Sequence, residues 1–337
     1  GAHAPDASAA TTLWILLVTR LATRGLDAPA LSTQAARVRE LLFQYVTHDF
    51  VRRRPVAQQW LAEEWACDRR GTRAPQYATW LARLVDALAR DADAREHALG
   101  AFLVDVPDVP TGVVDTLQAL CLERDSLAHG FALLRDLCAA RPPLRTGVCE
   151  RVLALTRHRD RLVRGKAIVT ARSWVLQRGA LGERVLAFAH ESLALVVEAA
   201  RREWMREVDG GGETGGEGEA GGEEAGGEAS PDAPDAAGPS PAPFDEQDVL
   251  RLMELALVLS VKQPALVQAV VDIYPQLTPG IQGAVEKHIA PLARALGPNN
   301  TVLLDVLRGA PRGADALVLE MLRILTEKAH TRALGLL

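Results

Sequence analysis

Three local groupings could, by residue type, do chemistry. Asp125, Ser126 and His129 supply the acid, hydroxyl and imidazole of a hydrolytic triad. A serine becomes a nucleophile when it is held on a strained turn beside its base, usually within Gly-x-Ser-x-Gly, and no such elbow surrounds Ser126. Asp125 or Ser126 as the N-cap of the next helix accounts for the same residues. Glu63-Glu64 with Cys67, Glu96-His97, and His158 with Asp160 come nearest to a metal site, but none offers three convergent ligands in a local motif. The four cysteines, Cys67, Cys121, Cys138 and Cys149, are 54, 17 and 11 residues apart with no Cys-x-x-Cys pair. That spacing fits neither a disulfide framework nor zinc, and reads as buried thiols in a reducing compartment. Catalytic, metal and cofactor residues are therefore all expected to be none, and the chain is not expected to be an enzyme.

Binding chemistry is better represented. Arg157, Arg159, Arg161, Arg164 and Lys166 fall within ten residues, preceded by Arg145 and Arg151. Such a cluster raises the local positive potential enough to attract phosphates or an acidic protein surface, and it is the candidate partner-binding site. A solvated inter-helix turn is the plainer account. Stacking of single-stranded bases needs aromatic side chains, and Trp174 is the nearest one, so an acidic protein partner is favoured over RNA. Arg52-Arg53-Arg54 reads as a basic helix C-terminus that the helix dipole favours. Trp60, Trp65 and Trp80 read as core side chains.

The elements that carry these residues are helices. Of 337 residues, 48% are hydrophobic but only 4% aromatic, and no segment alternates with period two, so a sheet has no material. Val38, Leu41, Leu42, Tyr45 and Val46 make one helical stripe, with Arg37, Arg39, Glu40 and Gln44 facing outward. The template recurs at Leu81, Leu84, Val85 and Leu88, at Val249, Leu252, Met253, Ala256 and Leu257, and at Ala314, Leu317, Val318, Met321, Leu322 and Leu325. Pro55, Pro75, Pro110, Pro143, Pro264, Pro279 and Pro298 stand where new stripes begin, as first-turn prolines do. Thr278 before Pro279 offers a capping hydroxyl; Asp245 offers a cap, with Phe244 and Val249 placed as a hydrophobic staple. The longest apolar run, Leu13 to Val18, is too short to span a bilayer and reads as part of a first core helix. About fifteen helices, ten before the acidic segment and five after, predict an all-α chain: a HEAT-like α-solenoid or an irregular stack of helical hairpins.

Charge is unevenly placed. Nine acids and no base lie between Asp209 and Pro243; setting them aside turns the net charge from −5 to +4. This Gly/Glu/Pro-rich stretch cannot bury enough apolar surface to offset backbone ordering, so residues 209–244 are expected to be a disordered linker. It separates helical-repeat regions at 1–208 and 245–337 that continue one domain. No Lys-Ser/Thr follows its glycines and its carboxylates would repel phosphate, so it is not a phosphate loop.

Two stretches carry a family resemblance. Arg37-Val38-Arg39-Glu40-Leu41-Leu42, running through His48-Asp49-Phe50 to Trp60-Leu61-Ala62-Glu63-Glu64-Trp65, resembles the opening of the C-terminal domain of the symplekin family. Tyr274-Pro275, the helix from Ile281 to Leu296, and Gly309-Ala310-Pro311-Arg312-Gly313-Ala314 leading to Ile324-Leu325-Thr326-Glu327-Lys328 resemble that domain's closing helices. The Gly/Glu-rich insertion departs from the family pattern. The resemblance implies a nuclear scaffold of pre-mRNA 3′-end cleavage and polyadenylation without catalytic activity. It also implies partners: the C-terminal regions of the metallo-β-lactamase endonuclease and of its inactive homologue.

Overall fold

In a computed structural model of the chain, the described residues are 7–24, 31–71, 74–177, 179–210 and 245–334. Among them are sixteen α-helices and no strand, so the chain is all-α. From residue 211 to 244 the expected linker, with eight of its nine acids, lies outside the described residues, as does Phe244 of the expected staple. The chain divides into two compact units, Gly1–Gly182 and Glu183–Leu337.

The first unit holds α1 (Ala7–Arg24), α2 (Ser32–His48), α3 (Phe50–Arg70), α4 (Tyr77–Arg90), α5 (Ala92–His97), α6 (Leu99–Asp105), α7 (Thr111–Leu120), α8 (Leu127–Ala140), α9 (Arg145–Leu155) and α10 (Arg161–Leu176). Their contacts fall into two rows. Helices α1, α3, α6, α8 and α10 touch in succession, as do α2, α4, α7 and α9, and most helices consecutive in the chain pair across the rows. This is solenoid-like stacking, in which each pair buries its apolar face against the next. The short α5 packs on α3, α4 and α6 and interrupts the regularity.

Sequence explains much of this local structure. Leu81, Leu84, Val85 and Leu88 of α4 are all buried, as their spacing requires. Trp60 and Trp80 are core residues whose rings lie 5.2 Å apart, and Phe50 meets Phe102 edge-on at 5.1 Å, tying α3 to α6. Helix α3 stops at Gly71, whose φ of 68° is a left-handed conformation that costs a glycine little. Between α7 and α8 the backbones meet at Gly130, where a Cβ would stand 2.8 Å from the nitrogen of Cys121.

Several expectations need correction. Helix α3 begins at Phe50, not at Pro55, because Asp49 ends α2 and its side chain accepts from the Arg52 amide at 3.4 Å. Pro55 therefore lies inside α3, and Arg52-Arg53-Arg54 occupies the first turn of a helix, not the last. Arg53 still serves a helix end: its Nη1 donates to the carbonyl of Tyr45, and its guanidinium lies 4.0 Å over the Tyr45 ring. Arg39, expected outward, is buried, because the buried face of α2 runs through Ala35, Arg39, Leu42 and Val46 while Leu41 and Tyr45 are exposed. Helix α1 forms, but among its described side chains the buried ones are Thr19, Ala22 and Thr23, and the apolar run faces outward at Leu13, Trp14 and Leu17. Helix α1 packs on α3 and α2.

The second unit holds α11 (Ala180–Gly210), whose first turn precedes the boundary, and α12 (Glu246–Ser260), α13 (Pro264–Ile273), α14 (Pro279–Leu296), α15 (Thr301–Arg308) and α16 (Asp315–Leu334). Here α12, α14 and α16 touch in succession, α13 touches α15, and α12 pairs with α13. Asp245 caps α12 in a reciprocal box with Asp248. Thr278 occupies the N-cap position of α14 without capping it, because its hydroxyl is hydrogen-bonded to Glu203 at 3.1 Å. Pro264 and Pro279 are the first residues of α13 and α14, as expected.

Candidate functional site

The residues that could do chemistry are occupied elsewhere. Glu63 accepts from Nε of Arg20 at 3.1 Å and Nε of Arg24 at 2.8 Å, holding α1 to α3. Glu64, fully buried, accepts from Nε of Arg39 at 2.7 Å and from Nε1 of Trp60 at 3.0 Å, holding α2 to α3. The Ser126 hydroxyl is buried and donates to the carbonyl of Leu120 at 2.9 Å; it neither caps α8 nor faces His129 as a nucleophile would. All four cysteines are free and buried, and burial pushes the Cys121 thiol up to about 12, away from reactivity. In the second unit a shallow cavity of about 360 Å³ is lined by α11 and α13, chiefly by Leu193, Ala194, Val197, Ala269 and Ile273. His190 and Glu198 are its titratable residues, too few to assemble an acid and base around a substrate.

The basic cluster has a definite geometry. Residues 157–160 form the turn between α9 and α10, and Asp160 caps α10, accepting from the amides of Leu162 at 2.7 Å and Val163 at 3.3 Å. Those two backbone bonds, the one from Leu162 first, hold the Asp160 carboxyl below its usual range. Arg164 turns inward: it is buried, and its Nη1 donates to the carbonyls of His158 at 2.8 Å and Arg159 at 3.2 Å, fastening the turn. Arg157 is half-buried and engaged in an interaction of its own. Arg145 is spent on the last carbonyls of α8, those of Cys138 and Ala139, and Arg151 on Asp115 at 2.6 Å.

What stays in solvent is Arg159, Arg161 and Lys166 from the expected set, joined by Arg172 one and a half turns further on. None of the four has an ion pair among the described residues. Between them stand Leu162, Val169 and Leu176, exposed by 59%, 65% and 60%. These three leave no trace in a search for charge clusters, yet a seven-residue spacing was there to be read. Trp174, the aromatic nearest the cluster, is buried and presents no stacking surface.

Part of the chain is similar to a fission-yeast polyadenylation factor subunit. That protein is the mRNA cleavage and polyadenylation specificity factor complex subunit pta1 of Schizosaccharomyces pombe, 26% identical over a 152-residue alignment. The alignment covers 38% of this chain and 23% of pta1, so the chain matches less than a quarter of that relative's length. No protein-family model and no solved structure matches the chain.

Proposed function

We propose that this chain is a non-catalytic scaffold of the mRNA 3′-end cleavage and polyadenylation machinery, acting in the nucleus. The observation that carries this reading is the similarity to pta1, whose name places that protein in a cleavage and polyadenylation factor complex. The symplekin-like stretches at both ends of the helical chain point the same way. Physical chemistry supports the non-catalytic part: Glu63, Glu64 and Ser126 are each consumed by a structural bond. Stacked helix pairs also suit the task, because they present long, preformed faces that can bury a standard interface of roughly 1,600 Å² without reorganising. No described helix is long and apolar enough to cross a membrane.

At a finer level, the partners are the C-terminal regions of the metallo-β-lactamase endonuclease and its inactive homologue, as the symplekin resemblance implies. Co-purification of the full chain with those two regions tests the assignment. A complex that survives gel filtration at micromolar concentration is expected, and no association under those conditions would overturn it.

A further inference from the structure

We propose that the exposed face of α10 is a docking site for an acidic amphipathic helix of a protein partner. The proposal goes beyond membership of any processing complex and stands on the face itself.

At 3.6 residues per turn, Leu176, Val169 and Leu162 fall within about 40° of arc, forming a narrow apolar ridge along the helix. Arg172 lies about 40° to one side of that ridge and Lys166 about 40° to the other. The arrangement is therefore an apolar seam with a basic rim on each edge. It extends from residue 162 to residue 176, about 21 Å or four turns. Scattered exposed leucines are ordinary on protein surfaces; three aligned at heptad spacing, each more than half exposed, are not.

Two features select the occupant. The first is charge: Arg161, Lys166 and Arg172 make no ion pair among the described residues, whereas the bases Arg145 and Arg151 are already spent on α8 and on Asp115. A partner helix with leucines on its seam and glutamates on its flanks would satisfy ridge and rims together, as e and g charges do beside an a/d seam. The second is relief. Gly165 sits mid-face with nothing within 4 Å of where a Cβ would be, so no packing within the chain requires a glycine there. With Ser173 it leaves two low places beside the ridge into which a partner's side chains can settle. RNA is disfavoured because a phosphate backbone has no use for the ridge and the face holds no exposed aromatic ring.

Fluorescence anisotropy on the full chain tests this with three probes: a 21-residue helical peptide with leucine at a and d and glutamate at e and g, the same peptide with lysine for glutamate, and a 15-nucleotide oligouridine. The acidic peptide is expected to bind at least about tenfold more tightly than the lysine peptide. Leu162→Ser with Val169→Ser, and separately Lys166→Glu with Arg172→Glu, should each weaken it about tenfold or more. All four positions are exposed, and an unchanged thermal midpoint and circular dichroism spectrum would show that the variants remain folded. No binding of the acidic peptide at 100 μM (roughly the limit of such an assay) would overturn the proposal, as would equal affinity for the two peptides. Oligouridine binding that is lost in the charge variant and kept in the serine variant would overturn it in favour of RNA.

Discussion

Arg39 and Glu64 form an ion pair at 2.7 Å with side-chain exposures of 7% and 0%, and the Trp60 indole shares the same carboxylate oxygen. A charge so placed is tolerable only while its partner stays. Arg39→Ala strands a buried carboxylate and is expected to cost about 3–5 kcal/mol, measured by urea denaturation. Replacing both, Arg39→Met with Glu64→Gln, should cost less, because no buried charge is left unpaired and the glutamine still offers the Trp60 indole an acceptor. Reading α2 from spacing alone sends Arg39 outward, since periodicity locates an apolar face and cannot know that a facing glutamate will let an arginine join it. Tyr77 makes a second prediction. Its phenol donates to the carbonyl of Asp108 and accepts from that residue's amide at 3.1 Å, and burial foremost raises its pKa from 10.0 to about 12. Because the folded state favours the neutral phenol, this contribution is intact below about pH 10 and is lost as pH climbs toward 12. Tyr77→Phe should flatten the fall in stability between those values in an alkaline denaturation series.

Individual helices show where chain-local signals suffice. The α12 start, with Asp245 capping and Val249 buried, and the proline starts of α13 and α14 are legible because a cap or a fixed φ acts within one turn. The join of α2 to α3 is not, because Pro55 can sit inside a helix once Asp49 has opened it a turn earlier. Two glycines, both within helices and alike in sequence, separate on contact with their surroundings. Gly165 faces open space, so Gly165→Ala should raise stability by about 0.5–1 kcal/mol through helix propensity. At Gly130 a Cβ would run into the backbone and sulfur of Cys121, so Gly130→Ala should push α7 from α8 and lower stability by about 1–3 kcal/mol. Thermal melts of the two variants side by side should move in opposite directions. The α10 face divides in the same way: its bases were visible as a cluster, but which of them point to water was decided by Arg164 bonding the carbonyls of its own turn.

Across the molecule, contacts within each unit join helices that are near neighbours in the chain, which is why an all-α stack was readable from punctuation and stripes although no repeat consensus aligns. The two-row order was not readable, since it depends on which pairs skip the short α5. In such a stack, protection should follow how many neighbours a helix has. Amide exchange in α1, which packs on α2 and α3, is expected to be at least about tenfold faster than in α8, which packs on α6, α7, α9 and α10. Mass spectrometry of exchanged peptides would show it, and equal rates would mean that the first unit opens as one block. The burial of all four thiols carries a practical corollary: a native sample should be silent to maleimide dyes. One new cysteine on an outward position away from the α10 face, such as Leu122, would then take a single fluorophore, letting distances to a bound partner be measured against a dark background.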